Sequence, residues 1–343
     1  MKILLYLGLL LFPFYSFGNS TYQSVAAGDS LLADTARRTK NEYLQLAELA
    51  SKENPRAAVD FYRKAIRATS VRDTLEEAST RLKMGKLLLN LNDKEALAQA
   101  SRAEVFYRKK GHLSDAATAL ELQAKFYEKN KLWEATLKKY NDLYKLHIEN
   151  GEALLAGNTA SHVCDLLITQ KKYQEAFDYV DKAKNAYDLV CRRDSMGAVY
   201  LKAAYIKKML KKPRLAEFYV VYKALPHFSA SDSFQGRIKS FNFLARMYRD
   251  QKRFSQAKWF YLQAKTQSAS IHDTVSTITS LLNLSVLKTI TGDLDMARHD
   301  LAEAEQLGRS GPYSYLTDSY RARYKTLFRK LDAETIAATS TVL

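Results

Sequence analysis

Apolar residues recur along the chain with the spacing of amphipathic helices, and alanines mark fixed points in that pattern. The clearest pattern is an alanine, a larger apolar residue or alanine four positions later, and another alanine three positions after that. It reads Ala58/Tyr62/Ala65, Ala96/Ala100/Ala103, Ala176/Val180/Ala183, Ala257/Tyr261/Ala264 and Ala297/Leu301/Ala304. Degraded copies begin at Ala135 and Ala216, so successive leading alanines lie 38 to 41 residues apart. This regular spacing predicts a structural repeat of about 40 residues.

Each leading alanine follows a second apolar-periodic stretch that has a small residue at its centre. These small residues are Gly85, Ala124, Cys164, Ala204, Ala245 and Ser285. Two helices can cross closely only where small side chains lie between their axes, so the pattern predicts pairs of helices. Glycine and proline are scarce, at 12 and 5 residues, which argues against an all-β fold with its many turns.

The sixth copy has the most complete pattern, and it resembles the tetratricopeptide repeat (TPR) family. It reads Phe241, Leu244, Ala245 and Tyr248, followed by Phe254, Ala257, Tyr261 and Ala264. The resemblance implies an all-α fold: a right-handed α-solenoid of about seven TPR-like helical hairpins, with a C-terminal capping helix from Tyr313 to about Leu331. The period near 40 residues exceeds the 34 of the family, and the closing proline is missing, which suggests a variety with longer helices.

The beginning of the chain has the pattern of an export signal. A single cation, Lys2, precedes an apolar run over residues 3–17, and Ser16 and Gly18 supply small residues for cleavage before Asn19. An uncleaved anchor is the alternative, but the run is short for a membrane span. We therefore expect a signal peptide over 1–18, a flexible mature N-terminus over 19–33, a repeat domain over 34–331 and a frayed tail over 332–343. The mature protein would be soluble in the periplasm or outside the cell, without stable membrane insertion.

Local signals predict where helices begin. Aspartate followed by threonine or serine would open the first helix of most hairpins, because such side chains accept hydrogen bonds from free N–H groups of a first turn. These dipeptides are Asp34-Thr35, Asp73-Thr74, Asp194-Ser195, Asp232-Ser233 and Asp273-Thr274. Pro55 and Pro213 suit the first turn of second helices, where the missing N–H costs nothing.

The chain is strongly basic, with 53 lysines and arginines against 37 aspartates and glutamates and a formal net charge of +16. Basic pairs recur near the predicted ends of first helices, at Lys171-Lys172, Lys207-Lys208, Lys211-Lys212 and Lys252-Arg253. Cations there offset the helix dipole, which explains their position without a ligand. Binding of an acidic protein or a lipid head group is the alternative. We do not expect nucleic acid as a partner, because an exported protein is separated from the nucleic acid inside the cell.

The sequence offers no motif for catalysis. Six histidines and two cysteines form no recognisable metal or nucleophile pattern, so we expect no enzyme activity, no cofactor and no metal site. Helix geometry places Cys164 and Cys191 too far apart for a disulfide. The aromatic residues on repeat positions are expected to pack between helices; they are Tyr43, Tyr62, Tyr127, Tyr173, Phe218, Tyr248, Phe254 and Tyr261.

Polar residues on the first helix of each hairpin form the candidate binding surface. The TPR resemblance implies a groove there that binds extended or helical peptides, in some members by holding a terminal carboxylate with lysine, asparagine and arginine. In the late repeats, where the register is clearest, the matching residues are Lys202, Tyr205, Asn242, Arg246 and Arg249. An ordinary solvated helix face is the other interpretation of these residues.

These features together favour an exported protein-interaction module, a scaffold or adaptor that binds a protein or peptide partner, possibly an acidic one. The main alternative is a sensory ectodomain similar to the input regions of membrane-bound bacterial regulators. A third hypothesis is a helper for glycan or nutrient uptake, although no lipidation cysteine lies near the cleavage site.

Overall fold

A computed structural model describes residues 24–68 and 74–329, and side chains from residue 39 onward. The expected signal peptide and the tail over 332–343 lie outside the described residues. Within them the chain consists of helices and turns, without a strand, which confirms the all-α prediction. No helix in these ranges combines the length and apolar character needed to cross a membrane.

The chain divides into two compact units, one ending at Phe126 and the other beginning at Tyr127. In the first unit α1 packs on α2, α2 on α3, and α3 on α4. The helices are α1 (Ser24–Glu53), α2 (Pro55–Arg67), α3 (Leu75–Asn90), α4 (Glu95–Lys109) and α5 (Leu113–Lys129), which extends past the boundary. Helix α1 begins earlier than residue 34, where we expected the repeats to start, and Asp34-Thr35 lies inside it instead of capping it.

The second unit continues with helices that pack on one another in chain order. They are α6 (Trp133–Glu149), α7 (Ala153–Thr169), α8 (Tyr173–Leu189), α9 (Arg193–Met209), α10 (Pro213–Phe218), a π-helical segment (Tyr219–Ala224), α11 (Leu225–Ala230), α12 (Phe234–Asp250), α13 (Phe254–Ser270), α14 (Thr274–Thr291), α15 (Leu294–Arg309) and α16 (Ser314–Arg323). The first helices of successive hairpins, α7, α9, α12 and α14, also contact one another. This is the hairpin packing of an α-solenoid.

The predicted capping helix follows the last hairpin and packs on α14 and α15. It is not one continuous helix, because α16 ends at Arg323 and a separate helical segment occupies 325–329. Phe328 in that segment is buried against the apolar residues of the last hairpin. The cap therefore covers the end of the second unit with two short pieces.

The small residues of the repeat lie in the core, as predicted. The leading alanines at 58, 96, 176, 216, 257 and 297 are fully buried, and so are Ala124, Ala204 and Ala245 at the centres of first helices. The third copy differs from the prediction, since Ala135 is only half-buried and Thr136 is fully buried. Tyr140 and Leu143 follow Thr136 at the expected spacing and are buried too. The repeat position is therefore Thr136, one residue later.

Every turn from α3 to α15 contains one residue in the left-handed conformation, with φ between +50° and +84°. These residues are Asn92, Gly111, Lys131, Gly151, Lys171, Cys191, Lys211, Asp232, Lys252, His272 and Gly292. The next residue donates its N–H to a carbonyl five residues earlier, as in Lys172 to Leu167, which is a Schellman C-cap. The left-handed residues lie 19 to 21 positions apart. One helix and one turn thus take about 20 residues, which gives the 40-residue hairpin.

The helix starts follow the predicted caps only in part. Thr74, Ser233 and Asp273 cap α3, α12 and α14 by accepting hydrogen bonds from backbone N–H groups three residues later. Asp194-Ser195 lies inside α9, whose N-cap residue is Arg192, so that prediction was wrong. Both prolines begin their helices as predicted, Pro55 in α2 and Pro213 in α10.

The fifth hairpin holds one extra residue. Its repeat positions begin at Ala216 and Val220, but the third buried position is Ala224 instead of residue 223. The π-helical segment absorbs this insertion, because a wider turn accommodates one more residue without rotating the rest of the helix. This explains why the sequence pattern of the fifth copy is incomplete at its last alanine.

Candidate functional site

Two of the five predicted groove residues lie on α9. The Lys202 ammonium donates hydrogen bonds to the Asp165 carboxylate at 2.7 Å and to the Ser161 hydroxyl at 2.7 Å, both on α7. Tyr205 is exposed. Lys202 is therefore bound to the preceding hairpin, and Tyr205 is the residue of this pair that faces solvent.

The other three lie on one face of α12, as their spacing predicted. Arg246 is exposed, and its Nε donates to the backbone carbonyl of Asn242 at 3.2 Å. The Arg249 side chain is only 19% exposed; its Nη2 lies 3.3 Å from Asp250, and its Nη1 donates to the Tyr324 hydroxyl at 3.4 Å. Arg249 is thus partly covered by the segment that follows α16. The predicted face is only partly open to solvent.

Tyrosines from other helices complete this surface. Tyr261 on α13 is fully buried, and its hydroxyl has no hydrogen-bond partner among the residues that the structure describes. Burial raises the pKa of Tyr261, and the nearby charges of Arg249 and Arg246 only partly oppose that effect. Tyr320 on α16 is also largely enclosed: burial raises its pKa, while a hydrogen bond with Asn283 acts in the opposite direction. We call this group the arginine–tyrosine site; it comprises Asn242, Arg246, Arg249, Tyr261, Tyr320 and Tyr324.

The arginine–tyrosine site is rich in hydrogen-bond donors. Arg246 has no carboxylate partner among the described residues, and the Tyr261 hydroxyl, whose pKa is raised by burial, is a protonated donor. The buried Oδ1 of Asn242 also lacks a partner. Buried polar groups are nearly always hydrogen-bonded, so these two atoms, which lack a partner among the described residues, distinguish the site from the rest of the face. The exposed guanidinium of Arg246 can donate hydrogen bonds to an anionic oxygen from solvent.

Other polar residues of the first helices are paired within the chain. His162 Nε2 lies 3.0 Å from Glu128, Lys208 bonds Asp250 at 2.7 Å, and Gln235 bonds Asp273 at 2.6 Å. These contacts, with that of Lys202 and Asp165, link one first helix to the next. These paired residues therefore stabilise the stacking of hairpins and are not available to bind a partner.

One group of possible metal ligands occurs in the described residues. His299, Asp300 and Glu303 bring their ligand atoms within 4.8 Å of one another. Lysines already neutralise both carboxylates, since Lys288 lies 2.6 Å from Asp300 in a buried ion pair and Lys265 lies 2.8 Å from Glu303. The group is better explained as two ion pairs than as a metal centre. Cys164 and Cys191 are free thiols, as predicted.

Comparison with solved structures identifies the fold. A signal-transduction ATPase with a tetratricopeptide repeat sensor from Pyrococcus horikoshii superimposes with a TM-score of 0.58 at 12% identity, over 88% of this chain and 47% of that one. The chain has the TPR-like fold. BtubC from P. vanneervenii is also similar, with a TM-score of 0.52 at 18% identity over 62% of this chain and 90% of that one.

A TPR protein from Parabacteroides merdae is also similar, with a TM-score of 0.46 at 18% identity over 82% of this chain and 98% of that one. No family model and no curated protein matches the sequence. The similarity thus lies in the three-dimensional arrangement of helices.

Proposed function

We propose that this TPR-like chain is a protein-interaction module that binds an acidic segment of a protein or peptide partner at the arginine–tyrosine site. The observation that supports this most directly is Arg246, an exposed guanidinium that has no carboxylate partner among the described residues and shares a helix face with Arg249. A carboxylate of the partner would accept hydrogen bonds from Arg246 and compensate its charge. No catalytic step is part of this proposal.

The chemistry favours a carboxylate held by arginine. The planar guanidinium can donate two parallel hydrogen bonds to one carboxylate, which fixes its orientation as well as its position. A hydrogen bond to a charged group contributes about 1.5 to 3 kcal/mol, or roughly tenfold to hundredfold in affinity. Tyr205 on the preceding first helix offers an exposed aromatic ring for a neighbouring side chain of the partner.

The test begins with capture of partners on the purified chain, followed by affinity measurement with the captured protein or peptide. Arg246→Ala combined with Arg249→Ala should weaken binding by at least about tenfold, while helix content stays unchanged. The matched control is Arg102→Ala with Lys109→Ala, which removes the same charge from exposed positions of α4. Equal binding by the parent and the Arg246/Arg249 double variant would place the partner elsewhere.

A sensory role is the second candidate, and the related protein from Pyrococcus horikoshii is described as having a TPR sensor. In that case the ligand would be a small molecule, and its binding would be relayed to another component. The same capture experiment separates the two functions, because peptides or proteins support the interaction module and a bound metabolite supports the sensor. We further propose that the chain is exported, which its apolar run over residues 3–17 supports.

A further inference from the structure

Six aromatic rings form a connected group on the fourth and fifth hairpins. Tyr219 contacts Phe177 with ring centroids 6.0 Å apart, and it also contacts Tyr200 at 6.3 Å and Phe218 at 5.8 Å. Tyr200 in turn stacks on His227 at 5.4 Å. We call this group the aromatic surface; it comprises Phe177, Tyr200, Phe218, Tyr219, Tyr222 and His227. It shares no residue with the arginine–tyrosine site.

The outer part of the aromatic surface is open to solvent. Phe218, which the repeat pattern predicts to be packed between helices, is 42% exposed, and Tyr222 is 67% exposed. Their ring centroids lie 5.5 Å apart. Both rings are associated with the π-helical segment, which begins directly after Phe218 and includes Tyr222. Single π-helical turns occur frequently at functional sites, and here the insertion coincides with two adjacent exposed rings.

Cations without acidic partners lie against these rings. The Lys207 ammonium lies 3.3 Å from the centroid of the Phe177 ring, and that of Lys223 lies 5.8 Å from the centroid of Phe218. Among the described residues neither lysine has a carboxylate within ion-pair distance. Burial and the charge of Lys212 lower the pKa of Lys207, while the charge of Asp181, which lies beyond ion-pair distance, acts in the opposite direction. No carboxylate among the described residues therefore pairs directly with the Lys207 charge. A carboxylate brought by a partner would compensate it.

We propose that the aromatic surface binds a second kind of segment, an acidic peptide stretch of a protein partner that carries an aromatic side chain. The exposed rings of Phe218 and Tyr222 would contact the aromatic side chain of the partner, and Lys207 and Lys223 would pair with its carboxylates. This proposal goes beyond the function proposed above, since it concerns a different surface.

Charges around the surface favour a peptide over nucleic acid. Tyr200 lies close to Asp188 and Asp181, whose charges add to the effect of burial in raising its pKa. A continuous polyphosphate backbone would be repelled by these carboxylates, whereas a peptide can place its acidic residues only beside the lysines. The mixture of cations, carboxylates and rings thus matches a partner with separate acidic and aromatic residues.

The experiment uses the full chain with Arg246→Ala and Arg249→Ala, so that the arginine–tyrosine site does not contribute. The probe is a random glutamate–tyrosine copolymer, compared with polyglutamate, an oligothymidylate and vesicles of phosphatidylglycerol. Phe218→Ser with Tyr222→Ser removes the exposed rings, and Lys207→Gln with Lys223→Gln removes the charges. The matched control is Trp259→Ser with Leu262→Ser, which removes two equally exposed apolar residues from α13. Circular dichroism verifies that each variant is folded.

The copolymer should bind more tightly than polyglutamate. Loss of the Phe218 and Tyr222 rings should lower the affinity for the copolymer by about tenfold or more. Loss of Lys207 and Lys223 should also weaken binding and reduce its salt dependence, and the Trp259/Leu262 control should bind like the parent. Unchanged binding by the ring variant would overturn the proposal. So would equal binding of polyglutamate, or binding of oligothymidylate or vesicles that depends on Phe218 and Tyr222.

Discussion

Lysines in left-handed conformation show how single residues depart from their intrinsic preferences in this chain. Lys131, Lys171, Lys211 and Lys252 have φ between +57° and +61° at the C-terminal caps of their helices. Glycine is the usual residue at this position, because a Cβ atom disfavours positive φ. From the sequence alone, the basic pairs near helix ends are explained as cations that offset the helix dipole. The structure adds that the first lysine of three such pairs, at 171, 211 and 252, is the capping residue itself.

Replacing Lys171 or Lys211 by glycine should therefore stabilise the protein. A left-handed conformation costs an L-residue roughly 1 to 2 kcal/mol, and glycine avoids this while losing somewhat more chain entropy, so we expect a gain of about 1 kcal/mol for each variant. Thermal denaturation would show it as a higher midpoint. Lys172→Gly is the control, because Lys172 has φ of −84° and should gain nothing. A midpoint of Lys171→Gly at or below that of Lys172→Gly would contradict the explanation.

At the scale of elements, two glycines form a slot for an aromatic ring. Phe228 at the end of the fifth hairpin is buried between Gly197 on α9 and Gly236 on α12. A Cβ atom on Gly236 would lie 2.1 Å from Cδ1 of Phe228, and one on Gly197 would lie 2.7 Å from Cε1. The close approach of the two first helices to this ring thus requires glycine on both sides.

Gly236→Ala should destabilise the protein even though alanine favours helix. Alanine gains about 1 kcal/mol in helix propensity, but overpacking of a core costs about 1 to 3 kcal/mol, and the enclosed ring has little room to move. Adding Phe228→Leu to Gly236→Ala should recover part of the loss. Gly308→Ala is the control, because its Cβ would lie 3.6 Å from its nearest neighbours and should cause no clash. Similar melting midpoints for Gly236→Ala and Gly308→Ala would contradict the conclusion that the Phe228 ring requires glycine at position 236.

The repeat pattern predicted the helical hairpins well, because it reports on local periodicity and burial. It placed the third copy at Ala135 because alanine is the usual residue there, whereas the structure uses Thr136, whose hydroxyl donates to the Leu132 carbonyl at 2.9 Å and can therefore be buried. It also left the fifth copy incomplete, since a fixed helical period does not include a π-helical turn. Phe218 lies two positions after the leading Ala216, and the same position is exposed in other copies, at Asp178, Trp259 and His299. Its exposure therefore follows the regular pattern, and the prediction that Phe218 packs between helices was wrong.

At the scale of the whole molecule, the arginine–tyrosine site depends on residues far apart in the chain. Helical spacing predicted that Asn242, Arg246 and Arg249 share a face, and the structure places them so. It could not predict that Tyr324, 75 residues after Arg249, contacts the same face, because helical periodicity contains no information on contacts between distant elements. The tyrosines of α13 and of the C-terminal segment give the site its enclosed character, and only the folded chain reveals them.

The proposed export of the chain can be tested by changing the expected cleavage site. Signal peptidase requires small residues before the cleaved bond, so the exported protein should begin at Asn19, and Gly18→Leu should prevent its release. Phe17→Leu is the control, because it changes the neighbouring position, where a large residue is already present. N-terminal sequencing of the exported fraction measures both effects. Material that keeps Met1 and remains embedded in the membrane in the parent chain would instead establish the apolar run as an anchor.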